Sequence, residues 1–349
     1  MYTFKRTEQN MPKGEEYETK AMLYLMNTLK NKSVDDIFLV DMFNDISAST
    51  LAFEYIIDAQ AKNYTSFNAS KIGESLITLF SNHLSNIYFK QYVLYCRVLP
   101  KNYLITPDTG ENFIKLDINC FKPKKKDLIM KSFYNEIDKS YGHDYHKSIE
   151  EKVYFDFFSN LEIVVDSRTK SEHVINSLPV KALESLDDAK LEMMFGEITT
   201  MRMTLKLICV ENEKINSISE CEKYKKYIKR KNIESFIISR VIGYDLFNND
   251  IIGTPLRFSN NYLNEKGHEE QKDIILSIYA EISRAFFNLN NPVELFSFLD
   301  VVVEEVRKRD DVEYVYQNVM NKITNLPSEL SELSSKYIIS VTLGGYYDN

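Results

Sequence analysis

"LAFEYIIDAQAKNYTSF", residues 51–67, decides how this chain is read. The stretch up to Lys62 has the composition of a strand, and it carries Asp58, Gln60 and Lys62 at alternate positions. Successive strand side chains point to opposite faces, so these three project together. Ala59 and Ala61 turn the other way and leave room for close packing. A carboxylate, an amide and an amine on one face of an apolar strand have two readings. One is a solvated edge, where a lysine guards against strand addition; the other is a site.

The elements around this strand give the order helix, three strands, helix, strand. In residues 15–31, Tyr17, Ala21, Tyr24, Leu25 and Leu29 fall near one helical face. Ile37 to Phe43 reads as a strand, Asn44-Asp45 as a turn, and a second short strand follows before the third at 52–62. Ile72, Leu76, Leu79, Phe80, Leu84 and Ile87 recur at helix spacing over 69–89, and "QYVLYCRVL" (91–99) forms a fourth strand that ends at Pro100. A helix crossing between two strands makes them parallel neighbours.

Beyond residue 100 the pattern loosens. Residues 100–126 read as loop, closing on the basic "FKPKKKD". Helices are expected at 127–141 and 146–160, and a short strand at "LEIVV" (161–165). "TMRMTLKLICV" (200–210) alternates like a strand, "ISECEKYKKYIKRKN" (218–232) reads as a basic helix, and "IESFIISRVIG" (233–243) as a strand. From about residue 269 the chain reads as helical, including 293–306 and 312–325, with a final strand at "KYIISVTLGG" (336–345). The change of texture puts a domain boundary near 165–185. The expected fold class is α/β with a helix-rich, mixed α+β C-terminal half; the expected domains are 1–165 and 166–349.

Composition bounds the function. The 349 residues are 44% hydrophobic and 27% charged, the range of a globular protein with a real core. No apolar run approaches the roughly 20 residues of a membrane span, and the start "MYTFKRTEQN" lacks a signal-peptide core. Cys96, Cys120, Cys209 and Cys221 form no CxxC pair, which fits reduced thiols and a cytoplasmic location. A net charge of −8 argues against a protein that coats nucleic acid, while leaving room for local basic patches. One such patch is "KYKKYIKRK" (223–231), where Lys225, Lys226 and Lys229 are candidate DNA contacts; "KPKKKD" (122–127) is another. Each could also be a solvated face, and one of the two is expected to contact phosphate. His143 and His146 have a spacing that a metal could use, but no cysteine is near them and a solvated loop is the reading.

If the second and third strands pair, Asp45 lies beside Asp58 and Gln60. Two carboxylates and an amide oxygen are hard ligands that suit Mg²⁺ or Mn²⁺. With Lys62 on the same face to meet phosphate charge, these are the parts needed for phosphodiester hydrolysis.

At these residues the chain resembles the PD-(D/E)xK nuclease core, in which the last acid-x-lysine can be written Gln-x-Lys. It is most similar to the double-stranded DNA endonuclease domain of bacterial anti-phage effectors, found with SAVED sensors in CBASS and as the nuclease subunit of Lamassu systems. That domain carries an aromatic-Gln pair on its first helix, where this chain has Tyr17-Glu18; an acidic strand end, matched by Asp45 in "FNDIS"; and Gln-x-Lys, matched by Gln60 and Lys62. The resemblance covers about residues 10–100. Glu18 departs from it, which leaves that residue a possible accessory. The resemblance implies a metal-dependent endonuclease with catalytic residues Asp45, Asp58, Gln60 and Lys62, of which the first three hold metal. It also implies double-stranded DNA as substrate, an SMC-like ATPase and a small accessory subunit as partners, and a homo-oligomer on activation. No SAVED-like segment follows residue 165, which favours a stand-alone subunit. The alternative is a non-catalytic adaptor that keeps the fold.

Overall fold

In the computed structural model the chain forms a mixed α/β protein with a seven-stranded mixed sheet and many helices. The structure describes residues 1–4, 12–29, 33, 35–50, 52–100, 102–106, 111–178, 183–184, 186–248, 254–287 and 292–347. Parts of the 100–126 loop and of the expected boundary segment lie outside these residues. Among the described residues no helix is long and apolar enough to cross a membrane.

After a short strand β1 (Tyr2–Thr3), the elements are α1 (Pro12–Thr28), β2 (Ile37–Val40), β3 (Ile46–Ser49), β4 (Ile56–Lys62), α2 (Ala69–His83) and β5 (Phe89–Cys96). This is the order helix, three strands, helix, strand. β2 and β3 pair antiparallel, β3 and β4 antiparallel, and β4 and β5 parallel across α2. Asn68 starts α2 by accepting from the Lys71 N–H at 2.9 Å, which satisfies one of the helix's orphan donors. Ile72, Leu76, Leu79 and Phe80 then form its buried stripe.

The sheet is completed by β6 (Phe113–Leu116), β7 (Leu161–Asp166) and β9 (Tyr227–Lys229), in the order β6-β7-β5-β4-β3-β2-β9. β8 (Lys214–Ile215) pairs instead with β1. Strand β6 lies in the segment expected to be loop. Helices α3 (Pro123–Tyr141), α4 (Tyr145–Ser148) and α5 (Glu151–Ser159) separate β6 from β7, and α3 packs against α2. That approach is close because position 73 is glycine. A Cβ there would lie 2.6 Å from the Ile129 carbonyl oxygen and 2.7 Å from the Phe133 nitrogen.

The rest of the chain is α6 (Lys170–Ser177), α7 (Asp188–Lys206), α8 (Arg230–Asn248), a short α9 (Leu256–Phe258), α10 (His268–Phe287), α11 (Pro292–Val306), α12 (Val312–Lys322) and α13 (Glu332–Tyr347). Two compact units result. One is Met1–His173 with Gly196–Ile228; the other is Val174–Phe195 with Lys229–Asn349. Residues 196–228, which the sequence reading places in a C-terminal domain, therefore belong with the sheet.

Four sequence expectations are corrected here. Residues 200–210 lie largely in α7, not a strand. Their alternation of apolar and polar residues is incidental, because Met203 and Leu207 are exposed and the buried stripe runs Leu191, Met194, Phe195, Ile198, Arg202 at helix spacing. The basic run 218–232 is not a helix. It is a 3₁₀ turn (Ile218–Tyr224), Lys225 in a left-handed conformation (φ 51°), and then β9, with only its last three residues opening α8. Residues 233–243 and 336–345 lie in α8 and α13, and 233–241 and 336–344 are buried almost continuously. A continuous buried apolar run reads the same for a core helix as for a core strand. "LGG" (343–345), read as the end of the final strand, lies in α13.

Two glycines make a contrasting test of this packing. Gly73→Ala should destabilise the protein by about 1–3 kcal/mol through overpacking against α3. Gly196→Ala meets nothing within 4 Å inside α7 and should be neutral or stabilising by up to about 1 kcal/mol. Denaturant unfolding of both variants checks the pair; equal effects would contradict the close α2–α3 approach.

Candidate active site

β3 and β4 run in register with Ile46 opposite Ala59 and Ser47 opposite Asp58, so Asp45 lies opposite Gln60 one step further on. The β2–β3 connection puts it there. Asp41 takes a left-handed conformation (φ 51°), and its N–H donates to the Asp45 carbonyl at 3.0 Å. β3 starts at Ile46, so the Ala61 N–H has passed the end of its strand partner. Asp45 Oδ2 accepts that N–H at 2.7 Å and also accepts from Gln60 Nε2 at 2.6 Å. Among the described residues, both hydrogen bonds to Asp45 land on Oδ2.

Gln60 Oε1 accepts from the Thr78 hydroxyl of α2 at 2.9 Å. The two ends of an amide are assigned from their hydrogen bonds rather than seen. Thr78, which can donate or accept, fits Gln60 in either orientation. With the amide turned over, Oε1 would face Asp45 and the two oxygens would point at a shared place. Lys62, at the end of β4, is half-buried, and its charge acts on Asp45.

Asp58 has a different position. It is fully buried, and both of its oxygens are taken. Oδ1 accepts from Ser47 Oγ at 2.7 Å; Oδ2 accepts from Asn82 Nδ2 at 2.8 Å and from Asn44 Nδ2. Asn82 in turn accepts from the Tyr2 hydroxyl at 2.8 Å. Asp58 thus joins β3, the β2–β3 turn and α2. The sequence reading counts it with Asp45 as a ligand; the structure separates their partners.

Glu18 is buried on α1, in a charged quartet that the sequence reading does not anticipate. Arg202, fully buried, pairs with both Glu15 and Glu18. Lys206 Nζ lies 3.2 Å from Glu15 Oε1 and 2.5 Å from Glu18 Oε2. Two carboxylates at i, i+3 on α1 face two cations at i, i+4 on α7. That spacing is present in the sequence, but it is invisible while 200–210 is read as a strand.

The electrostatics follow from burial. The Asp45 carboxyl is pushed up to about 7, first by burial and then by the Glu18 charge, against the pull of Lys62, the Ala61 N–H and Lys206. Asp58 is raised to about 6 by burial, opposed by its three donors. Burial and Arg202 work against the Lys206 ammonium, but Glu18 and Glu15 together outweigh them and its pKa is raised.

The expected DNA contacts are not equivalent. Lys225 is exposed and Lys229 half-buried at the strand edge. Lys226 is buried: only 1% of its side chain is exposed, it sits 3.6 Å from Asp41, and its carbonyl accepts the Val40 N–H. It ties the sheet edge together and does not face solvent. His146 is likewise structural, since its backbone and ring nitrogens both meet Asp138. Asp138, Asp144 and His146 lie close enough together to hold an ion, at the C-terminal end of α3. A second buried network, also not anticipated, joins Asp166 to Tyr95, Arg168 and His173 at the end of β7.

Comparisons with protein-family models, with curated proteins and with solved structures gave no match.

Two substitutions separate the roles of the carboxylates. Asp58→Ala leaves the buried Ser47 and Asn82 and the half-buried Asn44 without their carboxylate acceptor and should destabilise the fold by about 3 kcal/mol or more, read by denaturant unfolding. Asp45→Asn should act oppositely. The folded-state pKa of Asp45 lies above its ordinary 3.8, so the folded chain holds the proton more tightly and stability falls as pH rises from about 4 through about 7. Asparagine removes that loss and can still accept from Gln60 and Ala61. The variant should melt above wild type at pH 8, with the gap closing toward pH 4. A lower melting temperature at all pH values would contradict this assignment.

Proposed function

We propose that this chain is a metal-dependent endonuclease acting on double-stranded DNA, with Asp45, Gln60 and Lys62 as its centre. The observation that supports this most is their arrangement: strand register puts Asp45 opposite Gln60, and Lys62 follows on the same face of β4. The donor set fits a hard divalent ion. Asp45 offers a carboxylate with Oδ1 unused among the described residues, and Gln60 offers an amide oxygen after the turn that Thr78 permits.

A bound Mg²⁺ or Mn²⁺ would supply Lewis acidity toward the scissile phosphate. The chain's own groups do the rest. Thr78 accepts from the turned Gln60 amide and orients it, and Asp45 fixes the end of β4 through the Ala61 N–H. Lys62 meets the charge that develops on the phosphate and positions the attacking water. Asp58 belongs to the support of the site on this reading, since three donors already claim its oxygens. One such site cuts one strand, so duplex scission takes two copies. On the same reading the protein is the effector of an anti-phage complex with an SMC-like ATPase and a small accessory subunit, restrained until activated.

A second reading is a non-catalytic adaptor of such a complex. It is favoured by the Gln60 amide, which donates to Asp45 and thereby satisfies the carboxylate without any metal.

Incubation with linear and circular duplex DNA, in Mg²⁺ or in EDTA and with or without co-expressed partners, separates the two. The nuclease reading expects nicking or scission that needs metal. Lys62→Ala should abolish it with an unchanged melting temperature, because a half-buried lysine at a strand end adds little packing. Cleavage by Lys62→Ala at the wild-type rate would overturn the assignment, and its complete absence in all conditions favours the adaptor.

A further inference from the structure

We propose that Lys122, Lys124 and Lys125 at the start of α3, with Lys71 of α2, form the track along which this chain holds the backbone of double-stranded DNA on its way to Lys62. The inference rests on the nuclease reading, which makes Lys62 the reacting end, and deepens it by placing the substrate. The sequence leaves two basic runs open, and the structure separates them. In 223–231, Lys223 pairs with Glu220, Lys226 with Asp41 and Arg230 with Glu234, and the last two cations are buried. That run is largely committed to the chain's own acids. In 122–126, Lys122 and Lys124 are exposed, and Lys125 and Lys126 are half-buried. Among the described residues neither these four nor Lys62 and Lys71 take part in an ion pair.

A series of contacts joins this run to the site. Lys62 ends β4, and Tyr64 follows two residues on. The Lys71 ammonium sits over the Tyr64 ring, 4.5 Å from its centre. Two residues before Lys71, the Ala69 N–H donates to the Tyr103 hydroxyl at 3.3 Å. The Lys125 ammonium covers the Tyr103 ring at 4.6 Å, and the Lys122 N–H donates to the Tyr103 carbonyl at 2.8 Å. Lysine stems laid on aromatic rings keep their ammonium groups in water. Lys62 pairs with Cys96 where the parallel strands β4 and β5 both end, so the track lies beyond their carboxyl ends, the edge at which α/β sheets collect ligands. Glu74, Asp117 and Asp127 lie among these residues and leave the six lysines in excess. The first turn of α3 has neither an acid nor a side-chain cap, although that end of a helix favours negative charge. Lysines placed there act against the helix, and bound phosphate offsets the cost.

The test measures binding of a duplex of about 20 base pairs in EDTA, where nothing is cut, over a series of salt concentrations. Lys122→Gln with Lys124→Gln removes two exposed charges and no packing. At about 0.9 per phosphate contact, the log–log salt slope should fall by about 1.8, and binding should weaken roughly 60-fold near 0.1 M salt. Lys71→Gln should lower the slope by about 0.9. Lys225→Gln with Lys229→Gln takes two charges from the other run and should leave the slope unchanged. An unchanged slope in the Lys122/Lys124 variant overturns the inference, and so does a reduced slope in the Lys225/Lys229 variant. Cleavage assays in Mg²⁺ on the same proteins keep the two readings apart. Metal-dependent cutting with an unchanged slope in the Lys122/Lys124 variant leaves the nuclease reading standing without the track. A reduced slope with no cutting in any condition keeps the track and removes the nuclease. Absence of duplex binding by wild type overturns both.

Discussion

The buried Asp58 carboxylate is the constraint on which the site region depends. A carboxylate out of water must be met by donors, and three converge on it from different elements: Ser47 from β3, Asn44 from the β2–β3 turn, and Asn82 from α2. Satisfying that one group fixes the turn against the helix. The turn carries Asp45, so the position of Asp45 opposite Gln60 follows from how Asp58 is satisfied two residue pairs away. Hydrogen bonds to a buried charge contribute about 1.5–3 kcal/mol each when intact, and more is lost when one partner is removed. The region is therefore strongly specified, although two of its acids are raised in pKa and thus oppose stability at neutral pH.

The second constraint is the quartet of Glu15, Glu18, Arg202 and Lys206. Buried ion pairs add little net stability, but losing one partner leaves an uncompensated charge, and this commits α1 and the end of α7 to a single arrangement. It also sets the field around Asp45. Glu18 raises the Asp45 pKa while Lys206 and Lys62 lower it. Glu18 is thus electrostatically part of the site without being one of its hydrogen-bond partners.

Much of the N-terminal fold was legible because it rests on period. Strand alternation at 56–62 and the stripe Ile72, Leu76, Leu79, Phe80 identify β4 and α2, and a helix between two strands implies the parallel pairing seen for β4 and β5. The turn at Asn44-Asp45 placed Asp45 beside Gln60. What failed had little usable period. Residues 233–241 and 336–344 are buried on nearly all sides, and 200–210 alternates by accident with an arginine in its buried stripe. Lys226 was misjudged because a basic run implies exposure, whereas a lysine can be buried beside an aspartate. Asp58 was legible as a polar residue on the right face. Its satisfaction by Asn44, Ser47 and Asn82 was not, since that depends on contacts between elements distant in sequence.

The central claim is that Asp45 and Gln60 together form a cation site. The most direct test is anomalous diffraction from crystals soaked in Mn²⁺. The account requires a peak in contact with Asp45 and the Gln60 amide oxygen, with the amide turned over from its present hydrogen bond. Density only at Asp138, Asp144 and His146, with Gln60 still donating to Asp45, would contradict it.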